Sequence, residues 1–450
     1  MLKKLDVETH VVDFNSCIGC GICEIVCPEE CITMVQDNFL SFKPKVDYNK
    51  CTPCLACVKV CPDSFYLMNK VEKQLKKYNK YDKHIGNYID TYYGYSLEKE
   101  VREKSSSGGI LTRLLEELLV KNVIDAAIVV RSDELKSIED DIYAYSSVVT
   151  DVEGIRKSRG SKYISIDYHK TLKEIKEKKL KVAIVATPCV VTGLRKLQEV
   201  DEFYKEYIKY IFSFTCGHTC QPIFAKKLIE YSKSSNFDEI RFRAKTEAKS
   251  ADDYKFEILL KKEIKASINK KGLYGQLWNA HAFMEEKCLK CDDVFARYAD
   301  ITVMDAWGYS NDKKGQSFII TRNTYLDNIL RELKIRNLIY LEKIDKKYII
   351  NSQPLPILEK IDAIKNRALL LDKLNEIGKY SYLKKKFKNH KITLKYLYHN
   401  VSLYLRVKLS KRIFINNLSY KKVVLFRILL DPMLFVKKFI NKIYKKVMSK

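Results

Sequence analysis

No window of this chain reaches the roughly 18 uninterrupted apolar residues of a membrane-spanning helix, so no such helix is expected. The start, Met1-Leu2-Lys3-Lys4-Leu5-Asp6, lacks the apolar stretch of a secretory signal. Fourteen cysteines without such a signal point to a reducing compartment, and a cytoplasmic location is expected. The seven histidines form no pair at metal-ligand spacing. No recognised nucleic-acid motif is present, and no specific nucleic-acid partner is expected, although the net charge is +26. Acids are nearly missing from one end. From Lys379 to Lys450 there are 20 Lys and Arg against one acid, Asp431. That net +19 leaves +7 on the other 378 residues, so basicity belongs to the C-terminal segment.

What the chain does have is cysteine at fixed spacing. Cys17, Cys20, Cys23 and Cys27 precede Pro28, and Cys51, Cys54, Cys57 and Cys61 precede Pro62. Both runs read C-x2-C-x2-C-x3-C-P, the spacing of bacterial two-cluster ferredoxins. Each cysteine maps onto its counterpart 34 residues on, an internal repeat. Three thiolates on one tight loop reach three corners of a cubane, while the fourth turns to the other cluster. One 4Fe-4S cluster is therefore assigned Cys17, Cys20, Cys23 and Cys61, and the second Cys51, Cys54, Cys57 and Cys27. Zinc needs only four ligands and does not explain two runs of four. Cys31 is surplus to both clusters and is expected to be a buried thiol.

Residues 1–71 thus form an α+β ferredoxin-like two-cluster domain. Residues 72–90, rich in lysine and tyrosine with few apolar anchors, read as a linker. An α/β domain follows over 91–345. Its pattern predicts a helix at Gly109–Lys121 with Leu111, Leu114, Leu115, Leu118 and Leu119 buried, strands at Ala126–Val130, Val182–Ala186 and Tyr210–Phe214, and an exposed helix at Lys173–Lys179. Residues 346–450 read as a basic α-helical C-terminal region.

Four features of the α/β domain carry chemistry. Ser107-Gly108-Gly109 opens the first helix, where small residues and a helix N-terminus suit a phosphate; an ordinary serine cap is the plainer alternative. Arg159-Gly160-Ser161-Lys162 offers two cations around a glycine turn. Thr187-Pro188-Cys189 and Cys216 follow buried strands, where open α/β sheets bind ligands. Cys288 and Cys291 form a C-x-x-C pair ahead of Asp305-Ala306-Trp307. Cys189, Cys216, Cys288 and Cys291 suit a third 4Fe-4S cluster, with Cys220 second to Cys216 as ligand; scattered structural thiols are the alternative. His218, beside Cys216 and Cys220, is the only histidine near this proposed site.

Over residues 1–310 these motifs together resemble the coenzyme F420 hydrogenase/dehydrogenase β-subunit family with a fused N-terminal ferredoxin domain. The resemblance rests on Ser107-Gly108-Gly109, Arg159–Tyr163, Thr187-Pro188-Cys189, Cys216, and Cys288–Asp293 through Asp300 to Trp307. It implies an iron–sulfur flavoprotein oxidoreductase with FAD beside the third cluster, and so a flavin-binding α/β domain. It places Ser107, Gly108, Gly109, Arg159, Gly160, Ser161, Lys162, Thr187 and Pro188 around the cofactor. The expected acceptor is coenzyme F420 or another compound, including one in surface-polysaccharide metabolism, and the expected partner is soluble ferredoxin or another redox protein. An electron-relay subunit of a hydrogenase or formate dehydrogenase, and a redox sensor or scaffold, are the alternatives. No catalytic residue is singled out. Oxygen-sensitive clusters imply an anaerobic setting.

In the basic segment, Asp431-Pro432 reads as a helix start followed by Val436, Phe439, Ile440, Ile443 and Val447 on one face and Lys437, Lys438, Lys442, Lys445 and Lys446 on the other. Such a helix suits an anionic membrane surface, giving a peripheral contact on the inner face of the membrane. Packing of the apolar face on the protein body is the competing expectation.

Overall fold

The computed structural model describes residues 6–75, 80–245, 248, 250–310, 312–392, 396–416 and 418–430. The 34-residue repeat is visible in the backbone. Each cysteine loop ends on a left-handed residue, Gly21 at φ 78° and Leu55 at φ 62°, that starts a short helix, Ile22–Ile25 or Ala56–Val60. Between the loops lies an antiparallel hairpin of β1 (Ile32–Gln36) and β2 (Phe42–Val46), with Ile32 opposite Val46.

The stretch 72–90, expected as a linker, is structured over most of its length. It continues the helix Met68–Leu75 and then forms a hairpin of β3 (Lys80–Asp82) and β4 (Gly86–Tyr88), followed by Ile89 on Thr321. Ile85 is the anchor that the composition concealed: it is fully buried against Val294, Phe318 and Ile320.

Further along run β5 (Thr91–Ser96), β6 (Ala126–Arg131), β7 (Tyr145–Val149), β8 (Val182–Val185) and β9 (Ile208–Phe214). A separate antiparallel sheet holds β10 (Glu239–Ala244), β11 (Lys255–Leu260) and β12 (Glu263–Asn269). The chain then returns to the first sheet with β13 (Ile301–Asp305), β14 (Ser317–Thr321) and β15 (Ile339–Lys343). The eight-stranded order is β15-β5-β14-β13-β9-β8-β6-β7. β13, β9, β8 and β6 pair in parallel, and the outer strands pair antiparallel. The parallel centre explains near-continuous apolar runs such as Val182-Ala183-Ile184-Val185, since helices cover both faces. Parallel pairing also brings the C-terminal ends of β8, β9 and β13 to one edge, and these ends carry Thr187, Cys216 and Trp307.

The helix expected over Gly109–Lys121 spans Ile110–Val120, with Leu114, Leu115 and Leu118 buried. The second expected helix is longer, His169–Lys178, and not wholly exposed, because Leu172 and Ile175 enter the core. That core is shared: Ile18, Ile22, Val60, Met68 and Val71 pack with Ile184, Val191 and Leu194. Gly193, inside the helix Pro188–Gln198, makes the contact possible. A Cβ there would lie 2.7 Å from Ile22 Cδ1 and 3.2 Å from Pro62 Cγ.

The described part of the basic segment packs on the body. Phe414, Val423 and Phe426 from the helices Leu397–Phe414 and Tyr420–Leu430 are buried with Phe224 and Tyr274. Its lysines meet body carboxylates, Lys386 with Asp292 at 2.6 Å and Lys408 with Glu286 at 2.7 Å. The amphipathic helix expected from Asp431 onward lies outside the described residues. Among those described, no helix is long and apolar enough to cross a membrane.

Candidate iron–sulfur and cofactor site

The two cysteine runs sort into two cavities. One is lined by Cys17, Cys20, Cys23 and Cys61, the other by Cys51, Cys54, Cys57 and Cys27 together with Cys31. Each run thus sends its fourth cysteine across to the other cavity, the arrangement a two-cluster ferredoxin requires. Backbone amides point at the sulfurs; Gly19 N–H donates to Cys17 Sγ at 3.3 Å. Burial pushes the Cys20 and Cys23 thiols well above their ordinary pKa, so their thiolate charge needs a compensating cation. The four thiol donors of each cavity fit a cubane, whose iron would supply that charge. Among the described residues no three His, Cys, Asp or Glu side chains are placed to hold a single metal ion.

The third set of thiols also converges. Cys189 occupies the second position of the helix Pro188–Gln198, with Thr187 capping at φ −68° and Pro188 opening the first turn. Thr187 Oγ1 lies 3.4 Å from Cys189 Sγ. Thr187 and Pro188 therefore position a thiol. Cys216 follows β9, Cys288 lies within the short helix Glu286–Lys290, and Cys291 directly follows it. Thr219 N–H donates to Cys288 Sγ at 3.4 Å. Cys216, Cys189 and Cys291 sit within electrostatic reach of one another, and Cys288 joins them through Cys216 and Cys291. Cys220 is fully buried to one side; Cys288 and Cys216 face it, Cys189 does not, and its thiol points to the carbonyl of Ala282. The donor set fits a 4Fe-4S cluster better with Cys216 than with Cys220.

A residue that sequence reasoning missed lies among these thiols. Lys360, 3% exposed, donates to the carbonyl of Cys216 at 2.9 Å. Burial alone would lower its pKa, but Cys216, Cys291, Cys288 and Cys189 together push it up, so the ammonium stays charged. Two more buried lysines connect the domains. Lys287 pairs with Asp63 at 2.5 Å and faces both Cys61 and Cys291. Lys196 donates to the carbonyls of Cys61 and Ser64 at 2.7 Å each. The adjacency of Lys287 and Lys290 to Cys288 and Cys291 was readable. Lys360 was not, because it comes from a region without motifs. Arg367, equally buried, ties that region to the site through the Leu289 carbonyl at 2.7 Å.

The loops expected at the flavin are adjacent: Ser161 N–H donates to Ser106 Oγ at 2.6 Å. Their polar groups, however, are largely engaged within the protein. Arg159 forms a two-pronged pair with Glu100 at 2.6 and 2.8 Å. Lys162 donates to the carbonyls of Ser158, Arg159 and Gly160, and burial lowers its pKa to about 7. Ser107 Oγ donates to the Gln316 carbonyl at 2.5 Å, and Gly108 N–H to Ser317 Oγ at 3.0 Å. Gly108 is small because a Cβ would meet the Gly94 carbonyl at 2.8 Å. Gly160, at φ 92° with open space beside it, is the one glycine of this set with room for a ligand. Met304, just before Asp305, packs away with Ile85 and Phe318 and does not crowd the strand end.

Cationic and aromatic groups lie nearby, most of them from β10 to β13. Arg243 is held two-pronged by Asp305 at 2.7 and 3.0 Å and sits over Tyr254 and Trp307, with its Nε buried and unpaired. Lys270 lies 4.4 Å over the Tyr254 ring. Lys245 reaches the carbonyls of Ser107 and Lys314. His218, buried with Nε2 unpaired, stacks on Trp278 at 3.8 Å, and Tyr163 tilts on the same indole at 4.7 Å. Positive charge beside flat rings suits a planar, anionic cofactor.

Residues 91–173 match the N-terminal part, and 179–347 the C-terminal part, of the coenzyme F420 hydrogenase/dehydrogenase β subunit. Residues 16–64 match a 4Fe-4S dicluster domain. The chain belongs to the coenzyme F420 hydrogenase/dehydrogenase β-subunit family. It is an iron–sulfur member of that oxidoreductase family. A coenzyme F420-dependent sulfite reductase of Methanocaldococcus jannaschii is 27% identical over 343 residues, 75% of this chain and 49% of that protein. The β subunit of an F420-dependent formate dehydrogenase of Methanococcus maripaludis is 24% identical over 233 residues, 50% of this chain and 54% of that one. The chain thus spans about half the length of these curated relatives. A chain of the F420-reducing NiFe hydrogenase complex of Methanosarcina barkeri shares the fold at a TM-score of 0.50 and 18% identity, over 66% of this chain and 98% of that one.

Proposed function

We propose that the protein moves electrons between its ferredoxin-type clusters and FAD by way of a third 4Fe-4S cluster held by Cys189, Cys216, Cys288 and Cys291. The flavin site delivers hydride to coenzyme F420 or another acceptor. The observation that carries this reading is that Cys189 packs against the same buried cluster as Cys20 and Ile22, which line the first cysteine cavity. The first cysteine cavity therefore abuts the four-thiol site, and electrons need no separate carrier between them.

The chain's own residues divide the work. Cys17, Cys20, Cys23 and Cys61 bind the inner cluster, and Cys51, Cys54, Cys57 and Cys27 the outer one. The exposure of Cys54 supports the outer cavity as the side where soluble ferredoxin or another redox protein docks. Lys287 and Lys360 hold positive charge along the line of cavities, while Lys196, whose pKa burial lowers to about 7, ties the Cys61 and Ser64 carbonyls to the same wall. Arg243, Lys245 and Lys270 orient the anionic groups of the cofactor against Trp307 and Tyr254. Bound flavin supplies the conversion between single-electron arrival and two-electron hydride chemistry.

A second reading, an electron-relay subunit within a larger assembly, is favoured by relatives that are named as subunits of formate dehydrogenase and F420H2 dehydrogenase. Anaerobic purification with iron, sulfide and acid-released flavin per chain tests the first reading. About twelve irons with one FAD are expected. About eight irons without flavin would refute it and leave a redox sensor or scaffold.

A further inference from the structure

The outer cavity contains one thiol too many. Cys31 Sγ lies 3.4 Å from Cys27 Sγ. All five thiols, Cys27, Cys31, Cys51, Cys54 and Cys57, line the same space. The inner cavity has four and no spare. The local chain explains the placement. After Cys27-Pro28 the backbone turns through Glu30 at φ 47°, with Glu30 N–H on the Cys27 carbonyl at 3.3 Å. This brings Cys31 back beside Cys27. Its own backbone is fixed at the entry to β1, where Asp47 N–H donates to the Cys31 carbonyl at 2.8 Å. Cys31 is 5% exposed, so its thiol faces the cavity side of the core rather than solvent. The spare thiol also stands at the cavity with the more exposed ligands: Cys54 is exposed, Cys27 and Cys51 are half-buried and Cys57 is buried, whereas in the inner cavity only Cys17 is half-buried and Cys20, Cys23 and Cys61 are buried.

We propose that Cys31 is a reserve ligand of the outer 4Fe-4S cluster, able to take the iron held by Cys27. In the exchange the iron–sulfur bond to Cys27 breaks and one to Cys31 forms. The proton of the Cys31 thiol passes to the departing Cys27 sulfur 3.4 Å away, and no electron is gained or lost. The device keeps the exposed cluster four-coordinate when Cys27 is displaced. It rests on the assignment of Cys27, Cys51, Cys54 and Cys57 to that cluster.

The test is anaerobic purification of the full-length chain carrying Cys27→Ala, Cys54→Ala or the double change Cys27→Ala/Cys31→Ala. Iron and sulfide are counted, and electron paramagnetic resonance spectra are taken after dithionite reduction. Cys27→Ala is expected to keep the wild-type iron count, about twelve per chain, with an altered cluster signal. The double variant and Cys54→Ala are expected to lose about four irons each. If Cys27→Ala alone loses about four irons, as Cys54→Ala does, Cys31 is only a hydrogen-bonding neighbour and the proposal falls. If Cys54→Ala keeps every iron, the ligand assignment beneath the proposal is what fails. Cys27→Val, whose side chain cannot ligate iron, carries the same iron-count test should the alanine variant not fold.

Discussion

Lys360 Nζ donates to the carbonyl of Cys216 at 2.9 Å while facing the thiols of all four proposed ligands of the third cluster. A fixed positive charge beside a cluster favours the reduced, more negative form. At about 6 Å and an effective dielectric constant of about 20, one unit charge is worth about 3 kcal/mol. That is on the order of 100 mV for one electron. Lys360→Met is therefore expected to lower the midpoint potential of one cluster by that order and leave the other two in place. A redox titration followed by electron paramagnetic resonance measures it. An unchanged set of midpoints would show that solvent or other cations neutralise the site.

Cys216 and Cys220 make different predictions although they stand four residues apart. Cys216 shares the space of Cys189 and Cys291, whereas Cys220 is enclosed beside the Ala282 carbonyl. Cys216→Ala should cost about four of the irons. Cys220→Ala removes one buried sulfur and should cost only the packing of a small cavity, about 1 kcal/mol, with iron retained. Iron determination on both variants, with a urea melt of the second, decides between them.

Both cysteine runs were fully legible because a cubane fixes ligand spacing within one loop, and Cys31 was already surplus by count. The parallel strands were legible because burial on both faces writes uninterrupted apolar runs, as in Val182–Val185. The hairpin over residues 80–88 was not, since its single anchor, Ile85, is lost among lysines and tyrosines. Arg159 and Lys162 looked like phosphate ligands by type. Their partners, Glu100 59 residues away and the carbonyls of their own turn, are set by tertiary packing. Arg243, Lys270 and Lys360 carry no local signature at all. Their importance comes from what the fold brings beside them.

Lys245 predicts a pH dependence. Burial, reinforced by Arg243 and Arg102, lowers its pKa from the ordinary 10.5 to about 7. Between those values the unfolded chain holds a proton that the folded chain does not, so folding stability from this group rises with pH across that window. Lys245→Met should flatten that rise. Urea midpoints at pH about 7 and about 10 for both proteins measure the difference. An anionic ligand beside Lys245 would raise its pKa, so the wild-type slope should also flatten in flavin-loaded protein. Parallel slopes in wild type and Lys245→Met would rule the group out as the source.

Gly193 sets how closely the ferredoxin module docks. Replacing glycine by alanine in a helix interior gains about 1 kcal/mol of propensity. Overfilling a packed contact costs about 1–3 kcal/mol. At Gly193 the nearer neighbour, Ile22 Cδ1 at 2.7 Å, is the tip of a flexible side chain that can turn aside. The Pro62 ring at 3.2 Å cannot. Gly193→Ala is thus expected near neutral, and Gly193→Leu destabilised by about 2 kcal/mol. Pro62 follows Cys61, so the larger side chain also pushes the inner cavity away from Cys189. Gly193→Leu should then slow electron arrival at the third cluster while the iron count holds, as read by freeze-quench spectroscopy after mixing with limiting dithionite. Unchanged kinetics in a measurably destabilised Gly193→Leu protein would mean that electrons reach Cys189 by a route other than the contact between Pro62 and the helix Pro188–Gln198.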